Sequence, residues 1–149
     1  MKIRIETLDT LKDNEIIITC RQMDETIFRI QQFIQEQRPA VRLTFYKDDS
    51  EFYLPLTDVL FFETSDDMVY AHTEKEAYRI KLRLYELEDI LPGNFTRISK
   101  STILNSRKVY CINKNIASSS LVQFQSTYKQ VYVSRNYLKN LQMCLDRKE

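Results

Sequence analysis

Val59-Leu60-Phe61-Phe62 is apolar at every position, with Pro55 and Asp58 punctuating the chain just before it. A run this short and apolar on both faces makes a central strand, which needs sheet neighbours on either side. The chain from Val41 onward supplies them. Residues 42–46 and 51–54 flank the polar turn Lys47-Asp48-Asp49-Ser50, and residues 68–73 and 77–82 flank Glu74-Lys75-Glu76. In the second pair Tyr78, Ile80 and Leu82 alternate onto one inner face. Three further strand patterns, 109–112, 121–125 and 129–133, are separated by the serine run Ser118-Ser119-Ser120, read as a loop, and the turn Ser126-Thr127.

Helical spacing occurs in only three places. Asp24 caps a stripe of Ile27, Ile30 and Ile34, flanked by Phe28 and Phe33, that runs out before Pro39. Leu84, Leu87 and Leu91 form a second stripe ending at Pro92-Gly93, which holds the chain's one glycine. Ser134 stops the alternating Val131-Tyr132-Val133 segment and opens a third stripe of Leu138, Leu141 and Leu145. Ahead of the first helix, residues 2–6 and 15–21 alternate apolar and charged and are expected to be strands around a polar turn at 9–14. The expected fold is α+β: a mainly antiparallel β domain with short helices over residues 42–149, preceded by a small β-β-α extension over residues 1–41. That extension is too short for a phosphoacceptor receiver domain.

With 149 residues and 43% hydrophobic content, the chain can bury a sizeable core. No apolar run approaches the roughly 18–20 residues of a membrane span, and MKIRIETLDT has no apolar signal region, so a cytoplasmic protein is expected. Cys20, Cys111 and Cys144 are odd in number and far apart, and are expected to be reduced, buried fillers; with His72 they make no metal-site spacing, and His72 reads as a strand histidine. A lone histidine, no glycine-rich phosphate loop and carboxylates gathered in turns give no nucleophile, base and orienter to assemble. No enzymatic activity, cofactor or small-molecule substrate is expected.

Charge is distributed unevenly behind a net +1. Residues 1–45 carry 7 basic and 7 acidic side chains, residues 46–92 carry 5 and 12, and residues 93–149 carry 10 and 2. A basic C-terminal third is what a polyanion-binding face requires. Within it, Arg97-Ile98-Ser99-Lys100-Ser101-Thr102-Ile103-Leu104-Asn105 moves from an extended segment to a serine with N-cap chemistry and then to a lysine in what reads as a first helical turn. Ser134-Arg135 repeats that order before the last helix. A cation at a helix N-terminus opposes the dipole by a few tenths of a kcal/mol, so both are better explained by an external anion such as phosphate. Lys100 and Arg135 are the candidate readers of base edges, and Ser101, Ser134 and Asn136 the candidate phosphate partners. Arg107, Lys108, Lys129 and Lys139 either contribute at longer range or form a solvated basic face.

RISKSTILN, followed by VYVSRNYLKNL and preceded by DVLFFETSDD and YRIKLRLYELEDILPGNF, resembles the LytTR family of bacterial DNA-binding domains over about residues 43–145. The resemblance implies transcription regulation through double-stranded DNA, with loops rather than a recognition helix facing successive major grooves. Three loops would read bases: the turn after Phe61-Phe62-Glu63, including Asp67 and Met68, the segment at Lys100, and the segment at Arg135. The first is acidic here, so it either accepts from cytosine amino groups or reads no base. Asn105 also matches the family, although an asparagine between strands serves equally as a turn cap. The resemblance further implies a stand-alone member, a homodimer on repeated half-sites, with its signal entering through a partner such as a regulatory membrane protein. The rival reading is a protein-interaction module that sequesters a partner regulator. The two separate on whether Lys100 and Arg135 share one surface.

Overall fold

The computed structural model describes residues 1–36, 41–114 and 119–146. The chain divides into two compact units, Met1–Pro39 and Ala40–Glu149.

In the first unit the described secondary structure is one helix, α1 (Glu25–Glu36). Asp24 caps it as expected, its Oδ1 accepting from the Ile27 N–H at 2.9 Å. The two strands expected at 2–6 and 15–21 do not form. A two-stranded ribbon by itself is marginal in water, and alternation alone supplies no third strand or packed face to hold it. Ile3, Ile5, Ile16 and Ile17 are consequently exposed, as are Phe28 and Phe33 on α1.

The second unit is built on a seven-stranded antiparallel sheet in the order β2-β1-β5-β4-β3-β7-β6. Its strands are β1 (Phe45–Lys47), β2 (Ser50–Phe52), β3 (Phe61–Ser65), β4 (Met68–His72), β5 (Ala77–Ile80), β6 (Phe95–Ser99) and β7 (Thr102–Asn105). Helix α2 (Leu84–Ile90) follows β5; its Glu86 carboxylate accepts from the Arg83 N–H at 3.1 Å, satisfying one donor at the helix start. A second, three-stranded antiparallel sheet comprises β8 (Val109–Asn113), β9 (Ser119–Phe124) and β10 (Gln130–Ser134), and the described chain closes with α3 (Leu138–Asp146).

The apolar run that opened the sequence reading is buried throughout, but only its Phe61 and Phe62 belong to β3, Val59 and Leu60 preceding the strand. β3 is paired with β4 on one side and β7 on the other, and its adjacent phenylalanines enter different cores. Phe62 joins Phe45, Val69, Ile80 and Ile103 under Leu84 and Leu87 of α2. Phe61 joins Ile98 and Leu104 against Val122 and Val133 of the small sheet and Leu141 of α3. A strand that feeds two cores cannot alternate apolar and polar residues, which explains its composition.

Two smaller expectations are corrected. Ser119 and Ser120 belong to β9, paired with Ser134 and Val133, because the ladder extends to match β10; Ser118 lies outside the described residues. Cys20 is exposed and Cys111 and Cys144 are only half-buried, so they are not core fillers. His72 is the strand histidine expected, stacked on Phe61 at 4.4 Å between ring centres. Burial, with the Lys129 charge beside it, lowers its pKa to about 4. It is therefore neutral at physiological pH, and its Nδ1 lies 3.3 Å from the Lys129 ammonium.

Candidate nucleic-acid interface

At one end of the large sheet two hairpin turns lie side by side. The β3–β4 turn is Asp66-Asp67, both residues at positive φ (51° and 63°), between the paired Ser65 and Met68. That conformation defines a type I′ turn, whose twist matches the strands, and aspartate is among the few residues to accept it. Its neighbour is Lys100-Ser101, the two-residue connection between the paired Ser99 and Thr102. The Thr64 N–H donates to the Ser101 carbonyl at 2.8 Å and ties the two turns together.

Lys100 therefore does not open a helix. Thr102, Ile103 and Leu104 are all buried and hydrogen-bond between β3 and β6, so tertiary pairing overrides the serine's capping chemistry. The dipole argument for an anion at Lys100 falls with the helix. What replaces it is geometric: Lys100 is an exposed cation at a turn, and its backbone is held from outside. The Ser101 N–H donates to Ser99 Oγ at 3.2 Å, and Ser101 itself is exposed.

Arg135 does open a helical segment. It begins a one-turn 3-10 helix, Arg135–Tyr137, that runs into α3, with Ser134 at the capping position although its side chain makes no capping hydrogen bond. Arg135 and Asn136 are exposed. Two anchors fix which end of the fold they occupy. Lys129, just before β10, donates to the Glu76 carbonyl at 2.7 Å at the β4–β5 turn, and β10 runs away from there. Cys144, late in α3, approaches the Gly93 carbonyl ahead of β6 (3.6 Å), so the start of α3 lies toward the Ser99 end of β6. The 3-10 turn itself packs on β6. Lys100, Ser101, Asp67, Met68 and Arg135 are thus brought to one end of the second unit.

Other basic residues divide between the ends. Lys129 and Lys108 lie at the far end, Lys108 beside Thr73 and Glu74, so neither joins Lys100. Arg107 follows Asn105, the end of β7 remote from Lys100. Lys139 is exposed one turn after Arg135. Asn105 is buried, donating to the Val59 carbonyl at 3.0 Å and accepting from Asn94 and from the Arg107 N–H, so it is a turn cap inside the protein.

Three cations at the Lys100 end escaped the sequence reading. A surface cavity of about 450 Å³ beside the two turns is lined by Arg79, Lys81, Arg83, Arg97 and Lys100, with Asp67 as its one carboxylate. Arg79, Lys81 and Arg83 sit in the acidic middle of the chain, where net charge hides them. Their signal was their alternation with Tyr78, Ile80 and Leu82, which leaves all three exposed. Lys81 lies over the Tyr46 ring, 4.3 Å from its centre.

The second unit is thus an antiparallel β framework with turn-borne and helix-start cations at one end. The LytTr DNA-binding domain family model matches residues 49–146, and the chain belongs to that family. It is 30% identical over 143 residues to an uncharacterized HTH-type transcriptional regulator of Staphylococcus aureus strain bovine RF122 / ET3-1, covering 95% of each chain. A relative described in the same words from strain NCTC 8325 / PS 47 is 30% identical over 142 residues, again across 95% of both. Among solved structures, the LytTr DNA-binding domain of a putative methyl-accepting/DNA response regulator from Bacillus cereus superimposes with a TM-score of 0.64 and 26% identity, covering 70% of this chain and 95% of that one. Although those relatives are described as HTH-type, each described α-helix here is separated from the next by strands. Among the described residues no helix is long and apolar enough to cross a membrane.

Proposed function

We propose that the chain is a transcription regulator that binds duplex DNA through the loop end of its second unit. The carrying observation is the convergence of Lys100 and Arg135, from segments 35 residues apart, on one end of the fold that also holds Arg79, Lys81 and Arg83. Family membership and the description of the Staphylococcus aureus relatives as transcriptional regulators support the same reading. In it Arg135 reads a base edge with its planar fork, Ser101, Ser134 and Asn136 help hold phosphates, and Arg79, Lys81 and Arg83 follow the backbone. Asp67 and Met68 border the groove at the β3–β4 turn. The rival sequestering module gives no reason for these cations to gather at one end of the unit.

Selection of bound fragments from genomic or random duplexes tests this directly, and no enriched motif at moderate salt would count against it. Affinity for the selected site should fall with salt on a log–log slope of about −0.9 per phosphate neutralised. If Lys100 holds a phosphate, Lys100→Ala should weaken all sequences nearly alike and make that slope shallower by about one unit. A Lys100→Ala variant that instead loses preference at one base pair would make Lys100 a reader.

The first unit supports a homodimer in this reading. It exposes Ile3, Ile5, Ile16, Ile17, Phe28 and Phe33, more apolar surface than a single helix leaves uncovered without a partner. Phe28→Asp with Phe33→Asp in the full chain is expected to shift sedimentation toward the monomer. Unchanged association would remove this unit from the dimer.

A further inference from the structure

Arg97 differs from the other cations at the loop end in what its guanidinium touches. Its side chain is only 24% exposed. Nε donates to the Ser99 carbonyl at 2.7 Å, one terminal nitrogen donates to the Lys100 carbonyl, and the other pairs with the Glu88 carboxylate of α2. The next carbonyl, that of Ser101, accepts from the Thr64 N–H. Three successive carbonyls, 99 to 101, are thus held from outside the turn that carries Lys100. A planar fork meets several acceptors in fixed directions, which an ammonium on a flexible stem does not.

Global stability does not account for this arrangement. Glu88 is 42% exposed, and an ion pair so open to water contributes little to folding. Arg97 is also turned inward onto carbonyls rather than outward toward a phosphate. Resting on the DNA-binding reading above, we propose that Arg97 is a positioning residue, itself oriented by Glu88, that holds the Lys100 turn in its DNA-contacting conformation before DNA arrives. Helix α2 is then part of the recognition apparatus without touching DNA. Binding gains because the turn is ordered in advance.

The test uses the full chain and a duplex selected by it from a random pool, with a scrambled duplex as reference. Arg97→Lys retains the charge and loses the fork; Glu88→Ala removes an anion; both leave Lys100 in place. Each is expected to lower binding of the selected duplex by about tenfold. Binding of the scrambled duplex should follow what Lys100→Ala does to it, falling alike where Lys100 holds a phosphate and staying unchanged where Lys100 reads a base. In a Lys100→Ala background neither substitution should lower binding of the selected duplex further, since residues acting through one another are not additive. Wild-type affinity for the selected duplex in Arg97→Lys, or losses that add fully to that of Lys100→Ala, would overturn the proposal. A second arm needs no DNA. The Thr64 amide should exchange with solvent about tenfold faster in Arg97→Lys, while Phe62 and Ile103 exchange as before. If no duplex is selected, the DNA-binding reading fails and this arm alone decides: faster Thr64 exchange supports the brace, and unchanged exchange overturns it.

Discussion

Alanine in place of Arg135 is expected to lower affinity for the selected duplex by about 1–3 kcal/mol and to relax preference at one base pair. The expectation comes from three features together. Arg135 is exposed at the first position of a one-turn helix, its fork matches the O6 and N7 acceptors of guanine, and packing of that helix on β6 brings it to the Lys100 end. Titrating the variant against the selected site and its single-base variants at two salt concentrations separates base reading from phosphate holding. A base contact changes the order of preference; a phosphate contact lowers all affinities and flattens the salt dependence. Near-wild-type affinity and preference, with folding intact, would put the recognition surface elsewhere.

Asn105→Ala is expected to destabilise the fold by about 2–3 kcal/mol while leaving DNA preference per folded molecule unchanged. Asn105 is 2% exposed, and its amide serves three partners: the Val59 carbonyl, the Asn94 side chain and the Arg107 N–H. Removing it strands the buried Val59 carbonyl, a larger effect than the loss of the hydrogen bond itself, and takes the partner from the half-buried Asn94 amide and the Arg107 N–H. Urea unfolding measures the cost as a lower midpoint at unchanged slope. An unchanged midpoint with altered base preference would assign Asn105 to the interface instead.

The contrast between Asn105 and Arg135 shows how far residue type alone carries. Both sit in motifs shared with the family, and both have side chains able to read a base. Only packing distinguishes them: one is buried at the end of β7 against the Val59 carbonyl, and the other stands in water. The same holds for Lys129 and Lys100, two lysines of the same basic third. Lys129 is drawn to the Glu76 carbonyl and His72 at the far end, and Lys100 lies at the loop end.

Local chemistry sufficed for what depends on local chemistry. The all-apolar Val59–Phe62 run required a strand with neighbours on both sides; apolar alternation marked β4, β5, β8 and β10; leucines at helical spacing marked α2 and α3; and Asp24 marked the start of α1. Family membership was equally legible, because four short motifs in a given order survive in the linear chain. Tertiary structure decided what depends on a partner distant in sequence. Residues 2–6 and 15–21 have strand alternation and no third strand to complete a sheet, so they remain unpaired. Ser99 has the chemistry of a helix cap, yet β3 supplies a ladder for Thr102 to Leu104 and a turn results. Arg79, Lys81 and Arg83 joined Lys100 only when antiparallel pairing carried an acidic stretch of chain to the basic end. Capping and alternation act over a few residues, whereas the choice between competing local forms belongs to whichever distant surface completes the hydrogen bonds and excludes the water.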